Sequence, residues 1–289
     1  MTTPSHALVT PSFRGDIERC RLLVESVDRW VTPGVPHYLV VDRRDVELFQ
    51  PMVSARTKLV VVEEILPWWI MRVPGISRFW LSLKTVPIRN WMLQQVVKLS
   101  MGGVVTEDVL LFVDSDVFFI APFDPASQVR DGLVPLFVQT GQRGLLSFND
   151  RWHGVAARLL GLPVRTGYDT NFIGNVIIWR RDSLQRMLAH IGKNARRHWL
   201  PVVAGQLVLS EYIVYGLYAT EVEGIEAAGH YAHAVEYTRC YWDPVPMTPE
   251  MLGQFRSSLE PHHYSVMISA KSRTPIEDIR ATFLPAKAS

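Results

Sequence analysis

The chain has 289 residues, 48% hydrophobic and 20% charged, proportions that describe a globular protein with a large core and exclude disorder over most of its length. Its 30 Lys and Arg nearly balance 28 Asp and Glu, so the net charge of +2 is too mild to imply a nucleic-acid binder, and local charge matters more than net charge. Two cysteines without metal-ligand spacing exclude a disulfide scaffold, and no apolar run reaches the ~18 residues of a spanning helix, so a soluble cytoplasmic protein is expected.

The predicted elements alternate. Ala7–Thr10 reads as a strand, residues 11–16 as a turn, and Ile17 to Trp30 as a helix with Asp16 as its cap and apolar residues at helical spacing. His37–Val41 is a second strand ending at Asp42, Asp45 caps a short helix, and Lys58–Val62 is a third strand. Residues 65–86 break the rhythm as an aromatic insertion. A helix over 88–99 is expected to turn Trp91, Met92, Val96 and Leu99 to the core, with Asn90, Gln94 and Lys98 as a polar stripe. Val109–Val113, apolar throughout, is a central strand that ends in Asp114-Ser115-Asp116. Strands over 117–121, 133–138 and 174–179, helices over 150–160, after Asp182 and over 207–218, and a last strand over 264–268 complete the reading. Strands alternating with helices imply a mostly parallel sheet with its ligand crevice at the carboxyl ends of the strands.

Asp114 and Asp116 therefore fall at a ligand-binding edge, where two uncompensated carboxylates repel each other. Either they cap a turn or a cation offsets them; hard oxygen donors favour Mg²⁺ or Mn²⁺, which keep positions open for phosphate oxygens. The whole acid-free stretch from Ile65 to Thr106 carries Arg72, Arg78, Lys84, Arg89 and Lys98, which suits an anionic ligand.

The order of these elements resembles the GT-A glycosyltransferase fold, an α/β architecture with a Rossmann-like nucleotide-binding half and a mixed-sheet acceptor half. More narrowly, Trp91-Met92-Leu93-Gln94-Gln95-Val96-Val97-Lys98-Leu99, the Asp114-Ser115-Asp116 strand end and Ser210-Glu211-Tyr212 resemble a bacterial family of uncharacterised proteins with the GT-A pattern. On that resemblance the chain is one domain, with residues 7–120 binding a nucleotide sugar, 121–270 binding the acceptor and 271–289 forming a tail. The resemblance implies transfer of a sugar from a UDP- or GDP-type donor to a carbohydrate, lipid-linked or small-molecule acceptor, with Mn²⁺ or Mg²⁺ on the diphosphate. It further implies Asp116 as direct metal ligand, Asp114 at the ribose, sugar or metal beside Ser115, and a late histidine, His263 before His262 or His233, completing the metal shell.

By the same resemblance Pro11, Ser12, Arg14 and Asp42 line the base and ribose pocket, and Gln95 and Lys98 open onto the crevice. An inverting displacement needs a base for the acceptor hydroxyl, for which Glu211 is the first candidate and Asp169 the second. Asn171 and Asn175 are candidates for sugar contact or simple turn markers. The insertion's Trp68, Trp69, Phe79 and Trp80 suit a core, a lid or acceptor site, or peripheral contact at the inner membrane face. Two other readings stand beside the transferase: a haloacid-dehalogenase-like phosphatase, whose pattern expects Thr or Val where Phe118 stands, and a non-catalytic nucleotide-sugar or carbohydrate-binding protein.

Overall fold

The computed structural model describes residues 3–73, 75, 78–145 and 149–285. Strand β1 (His6–Pro11) leads through a tight turn into α1 (Ile17–Trp30), whose buried Cys20, Leu23, Val24 and Val27 recur at the expected helical spacing. Then come β2 (His37–Val41), α2 (Val46–Phe49), β3 (Thr57–Val61) and α3 (Val62–Ile65). The insertion folds as an antiparallel meander of β4 (Ile70–Met71), β5 (Phe79–Ser82) and β6 (Ile88–Arg89). Helix α4 (Asn90–Ser100) precedes β7 (Val109–Val113), and Asp114-Ser115-Asp116 alone separates β7 from β8 (Val117–Phe119). The chain continues through β9 (Val134–Phe137), α5 (Asn149–Leu160), β10 (Val176–Arg180), α6 (Arg181–Ala195), α7 (Trp199–Ala204) and α8 (Glu211–Leu217). Last are β11 (His230–His233), β12 (Thr238–Tyr241), α9 (Pro249–Ser257), β13 (Ser265–Ile268) and α10 (Ile276–Phe283).

The central sheet has the order β10-β7-β1-β2-β3; all neighbours are parallel except β10, which runs antiparallel to β7 with Val176 opposite Val113. Because side chains alternate along a strand, Leu110 and Phe112 join one core with α4 to α8, while Val109, Leu111 and Val113 join another with α1 and β8. Covering both faces explains why β7 is apolar throughout. The chain winds outward from β1 in both directions, to β2 and β3 on one side and β7 on the other, so a crevice opens where the carboxyl ends of β1 and β7 diverge. A smaller sheet, β12-β13-β8, joins the central sheet through the Asp114-Ser115-Asp116 turn between β7 and β8.

Several expectations change. β10 comes from the second half yet completes the central sheet, and β8 comes from the first half yet pairs with β13, so the two halves interlock instead of dividing near residue 120. The expected tail contains α10, whose Ile279 and Phe283 are buried with Leu22 of α1 and Leu252 of α9. The helix expected from Leu207 begins at Glu211, because Ser210 is extended and its Oγ accepts the Ile213 N–H. Inside α8 a Cβ on Gly216 would lie 2.2 Å from the Phe172 ring, a close approach that only glycine permits. Among the described residues no helix is long and apolar enough to cross a membrane.

Candidate functional site

A cavity of about 280 Å³ opens at the carboxyl ends of β1 and β2. Pro11, Ser12 and Phe13 form its wall after β1, Asp42 its wall after β2, Ser115 the β7 side, and Trp91 and Gln94 of α4 its roof. Parallel strands bring their carboxyl ends to one edge, which is why residues far apart in sequence meet there. Four expected donor-pocket residues, Pro11, Ser12, Asp42 and Ser115, are thus brought together. Two others come from the insertion: Arg72, whose guanidinium lies 3.0 Å from Asp42 Oδ2 and 5.1 Å from the Trp80 ring centroid, and Trp80 itself. Arg72 leaves the cavity wall nearly charge-balanced. Trp91, expected in the core, is 44% exposed and stacks on Trp152 at 5.7 Å.

At the β7 edge of this cavity three carboxylates gather. Ser115 Oγ donates to Asp16 Oδ2 at 3.2 Å, so Asp16 faces the Asp114-Ser115-Asp116 turn and makes no side-chain cap on α1. Burial, reinforced by the charges of Asp114 and Asp16, pushes the Asp116 carboxyl up to about 6; the Arg19 guanidinium and the Ala270 N–H only partly oppose this. Burial likewise raises Asp16. Asp16 was legible only as a helix cap, since nothing local in the sequence brings residue 16 to residue 115.

Asp114, itself 36% exposed, also reaches a second cluster whose other members are buried. The Lys98 ammonium, 3% exposed, lies 2.9 Å from Asp114 Oδ1 and 3.1 Å from Glu211 Oε1, and it donates to Tyr212 Oη at 2.7 Å while sitting 4.6 Å from that ring's centroid. These contacts hold Lys98 well above its ordinary range although burial opposes it, and burial raises Glu211 although Lys98 opposes that. Lys98 therefore does not open onto the cavity as expected. It ties the first aspartate of the strand-end pair to the first residue of α8. Gln95, also expected at the crevice, instead accepts the Glu211 N–H at 3.2 Å and so caps α8 from α4.

Other candidates stand apart. Arg14 turns to Asp45, with Nε 2.7 Å from Oδ1, and also reaches the Arg44 carbonyl. Asp169 is exposed and accepts the Gly141 and Arg143 N–H groups, bracing a loop. Asn175 donates to Glu236 at 2.8 Å and Asn171 pairs with Gln139 through its backbone. His263 cannot join Asp116: β13 runs antiparallel to β8 with Met267 opposite Val117 and Tyr264 bonded to Ile120, so His263 sits at the opposite end, roughly 15 Å away at ~3.3 Å per residue. Its Nδ1 accepts the Glu260 N–H, and the turn that does adjoin Asp116 carries Ser269, Ala270 and Lys271. Among the described residues no three His, Cys, Asp or Glu side chains are gathered closely enough to hold a metal unaided.

The raised Asp116 carboxyl has a thermodynamic consequence. A group that binds its proton more tightly in the folded state stabilises the fold fully below its unfolded pKa, near 3.8, and loses that contribution as pH rises through about 6. At pH 7.5 the ionised Asp116 should therefore cost at most about 3 kcal/mol. Asp116→Asn is expected to raise the urea midpoint at pH 7.5 and to leave it unchanged near pH 4; equal midpoints at both pH values would show that Asp116 is adequately compensated.

The chain belongs to a family of unknown function (DUF6492), whose model matches residues 5–241. No curated protein matches it.

Proposed function

For this member of a family of unknown function, we propose a metal-dependent glycosyltransferase of GT-A type that moves a sugar from a nucleoside diphosphate sugar to an acceptor hydroxyl. The observation that carries the reading is a cavity of about 280 Å³ at the carboxyl ends of β1 and β2, beside the switch point between β1 and β7, with the carboxyls of Asp16 and Asp116, both raised by burial, next to its Ser115 side. The antiparallel β10 beside β7 and the small β12-β13-β8 sheet joined through the Asp114-Ser115-Asp116 turn support the GT-A assignment.

The donor set fits a hard divalent cation. Asp116 and Asp114 would supply oxygen ligands and Asp16 negative charge to Mg²⁺ or Mn²⁺, which bind through one or two carboxylates and take the rest of their shell from substrate phosphates and water. Such a cation would neutralise charge on the departing diphosphate. The chain's own residues have separable roles. Asp42, fixed by Arg72 and Arg44, presents carboxylate oxygen to ribose hydroxyls at the end of β2. Trp80 and Trp91 offer apolar walls for a base. Lys98 sets the orientation of Asp114 and, 3.1 Å from Glu211 Oε1, opposes the rise that burial imposes on that carboxyl, and Glu211 is the residue proposed to accept the acceptor's proton in an inverting displacement. Asp169, on its exposed loop, is not assigned a part.

Calorimetric titration of UDP, GDP and their sugar conjugates, with and without Mn²⁺, tests this on the wild type and Asp116→Ala. One nucleotide should bind in a Mn²⁺-dependent way and lose most of its affinity in the variant. Folded protein that binds none of them with Mn²⁺ present overturns the donor assignment. Tight binding without turnover of any sugar nucleotide would favour a binding protein, and an aspartyl-phosphate on Asp114 would favour the phosphatase.

A further inference from the structure

A second, larger groove of about 770 Å³ lies away from the carboxylates, between the insertion and helices α6 and α7. Its walls come from two parts of the chain, residues 65–103 and 185–201. Both belong to stretches without a single acidic residue: none occurs from Ile65 through Thr106, and none from Ser183 through Ser210. Tertiary packing has therefore placed the two acid-free stretches side by side.

The rim is apolar and exposed. Trp68 is 76% exposed, Leu83 58%, Val86 50% and Leu207 64%. They belong to one surface: the Leu83 N–H donates to the Trp69 carbonyl at 3.0 Å, and Thr85 lies against Gly205, just past α7 and two residues before Leu207. Single exposed apolar residues are ordinary, but a cluster of this kind around a groove marks an interaction face. Beside it are Lys84, which lines the groove and sits 5.3 Å from the Trp69 ring centroid, and Lys193, Arg196 and Arg197, all exposed at the end of α6 just before the groove residues His198 to Pro201. None of these four cations forms a salt bridge among the described residues. The neighbouring Glu64 is turned to Arg43.

We propose that this face docks on an anionic lipid bilayer, with Trp68, Leu83, Val86 and Leu207 entering the headgroup layer and Lys84, Lys193, Arg196 and Arg197 meeting lipid phosphates. An exposed tryptophan beside unpaired cations is the chemistry of a membrane interface, where an amphipathic ring sits at headgroup level and each nearby Lys or Arg adds attraction to an anionic leaflet. A protein partner would need to be acidic over both stretches at once, whereas a bilayer offers uniform negative charge at any rotation of the face. The inference is independent of the sugar-transfer reading, since no residue of this face lines the carboxylate cavity.

The full chain is sedimented with vesicles of phosphatidylcholine alone or mixed with phosphatidylglycerol. It should partition onto the anionic vesicles only, and release as salt is raised from about 0.1 M to about 1 M, which shortens the screening length from roughly 10 Å to roughly 3 Å. Reversing charge in K84E, R196E and R197E should weaken partitioning by at least roughly fivefold for each residue. Trp68→Ser with Leu207→Ser should weaken it at unchanged charge. Both sets alter exposed side chains, so thermal unfolding and nucleotide titration should match wild type, which separates failure of this face from failure of the donor site. No partitioning onto anionic vesicles, or equal partitioning of wild type and variants, overturns the inference. So does a concentration-dependent dimer that Trp68→Ser abolishes, because the face then belongs to a second copy.

Discussion

Replacing Lys98 with methionine is expected to lower stability by about 3–5 kcal/mol, the usual loss when one partner of a buried ion cluster is removed and the other is left behind. Methionine fills much of the lysine's volume, so the loss comes from charge and not from a cavity. Without the ammonium, Asp114 and Glu211 keep neither the cation at 2.9 Å nor the one at 3.1 Å, and Glu211, 5% exposed, cannot recover solvation. For a chain of this size the thermal midpoint should fall by roughly 6–15 °C. Glu211→Gln added to Lys98→Met should restore part of the loss, since a neutral amide needs no counterion, and the coupling read from the double-mutant cycle should be well above 1 kcal/mol by roughly a factor of two. Urea denaturation of the three variants measures this. A Lys98→Met protein within about 1 kcal/mol of wild type would mean that water reaches the cluster and that Lys98 fixes neither carboxylate. If Lys98 does hold Asp114, cation-dependent nucleotide affinity should also fall in that variant, because the strand-end aspartate loses its restraint.

Acid should destabilise the protein well above the range in which most carboxylates titrate. His37 and His230, both 0% exposed, are held down to about 3, by burial in each case and for His37 by the Arg56 charge as well. At His230 the Val134 carbonyl can only accept, so Nδ1 carries a proton, and in the neutral ring Nε2 accepts the Tyr215 O–H at 2.6 Å; burial is what disfavours the second proton. His37 touches Thr10 Oγ1 at 2.9 Å through Nε2, and its Nδ1 is buried without a partner among the described residues. The sign follows from depressed folded-state values. Both rings are neutral when folded and take up protons near 6.5 when unfolded, so their contribution is complete above about 6.5 and is lost as pH falls toward about 3. Each accounts for at most about 5 kcal/mol across that window. Near pH 5 the two rings take up nearly two protons on unfolding while Asp116 releases roughly one, so the denaturation midpoint should fall between pH 6 and pH 4 with a net uptake of about one proton. His37→Gln should remove most of that slope. A wild-type midpoint that is flat from pH 6 to pH 4 would show that both rings are reached by solvent.

Much of the architecture is visible in local pattern. His37–Val41 and Val109–Val113 are bounded in the structure as their apolar runs and flanking acids suggest, because a strand covered on both faces has no polar position to blur its ends. The helix after Asp16 follows from spacing alone. Short or half-exposed elements are different. α7, β12 and α9 carry too few periodic residues to stand out, and α10 looks like a tail until Phe283 finds Phe118 at 5.5 Å.

The sequence by itself determined an α/β chain with an apolar strand delivering Asp114 and Asp116 to the carboxyl edge of a mostly parallel sheet, because alternation and periodicity are properties of neighbouring residues. Only the tertiary structure decided what those carboxylates meet. Lys98 lies on what reads as a polar stripe, yet α8 covers it and turns a solvated lysine into a buried bridge between residues 114 and 211. Asp16 leaves its capping role for Ser115, Arg72 comes from the insertion to Asp42, and the antiparallel register of β8 and β13 carries His263 away. Each of these is a contact between residues far apart in the chain, and local spacing holds no information about which distant face will cover a given side chain.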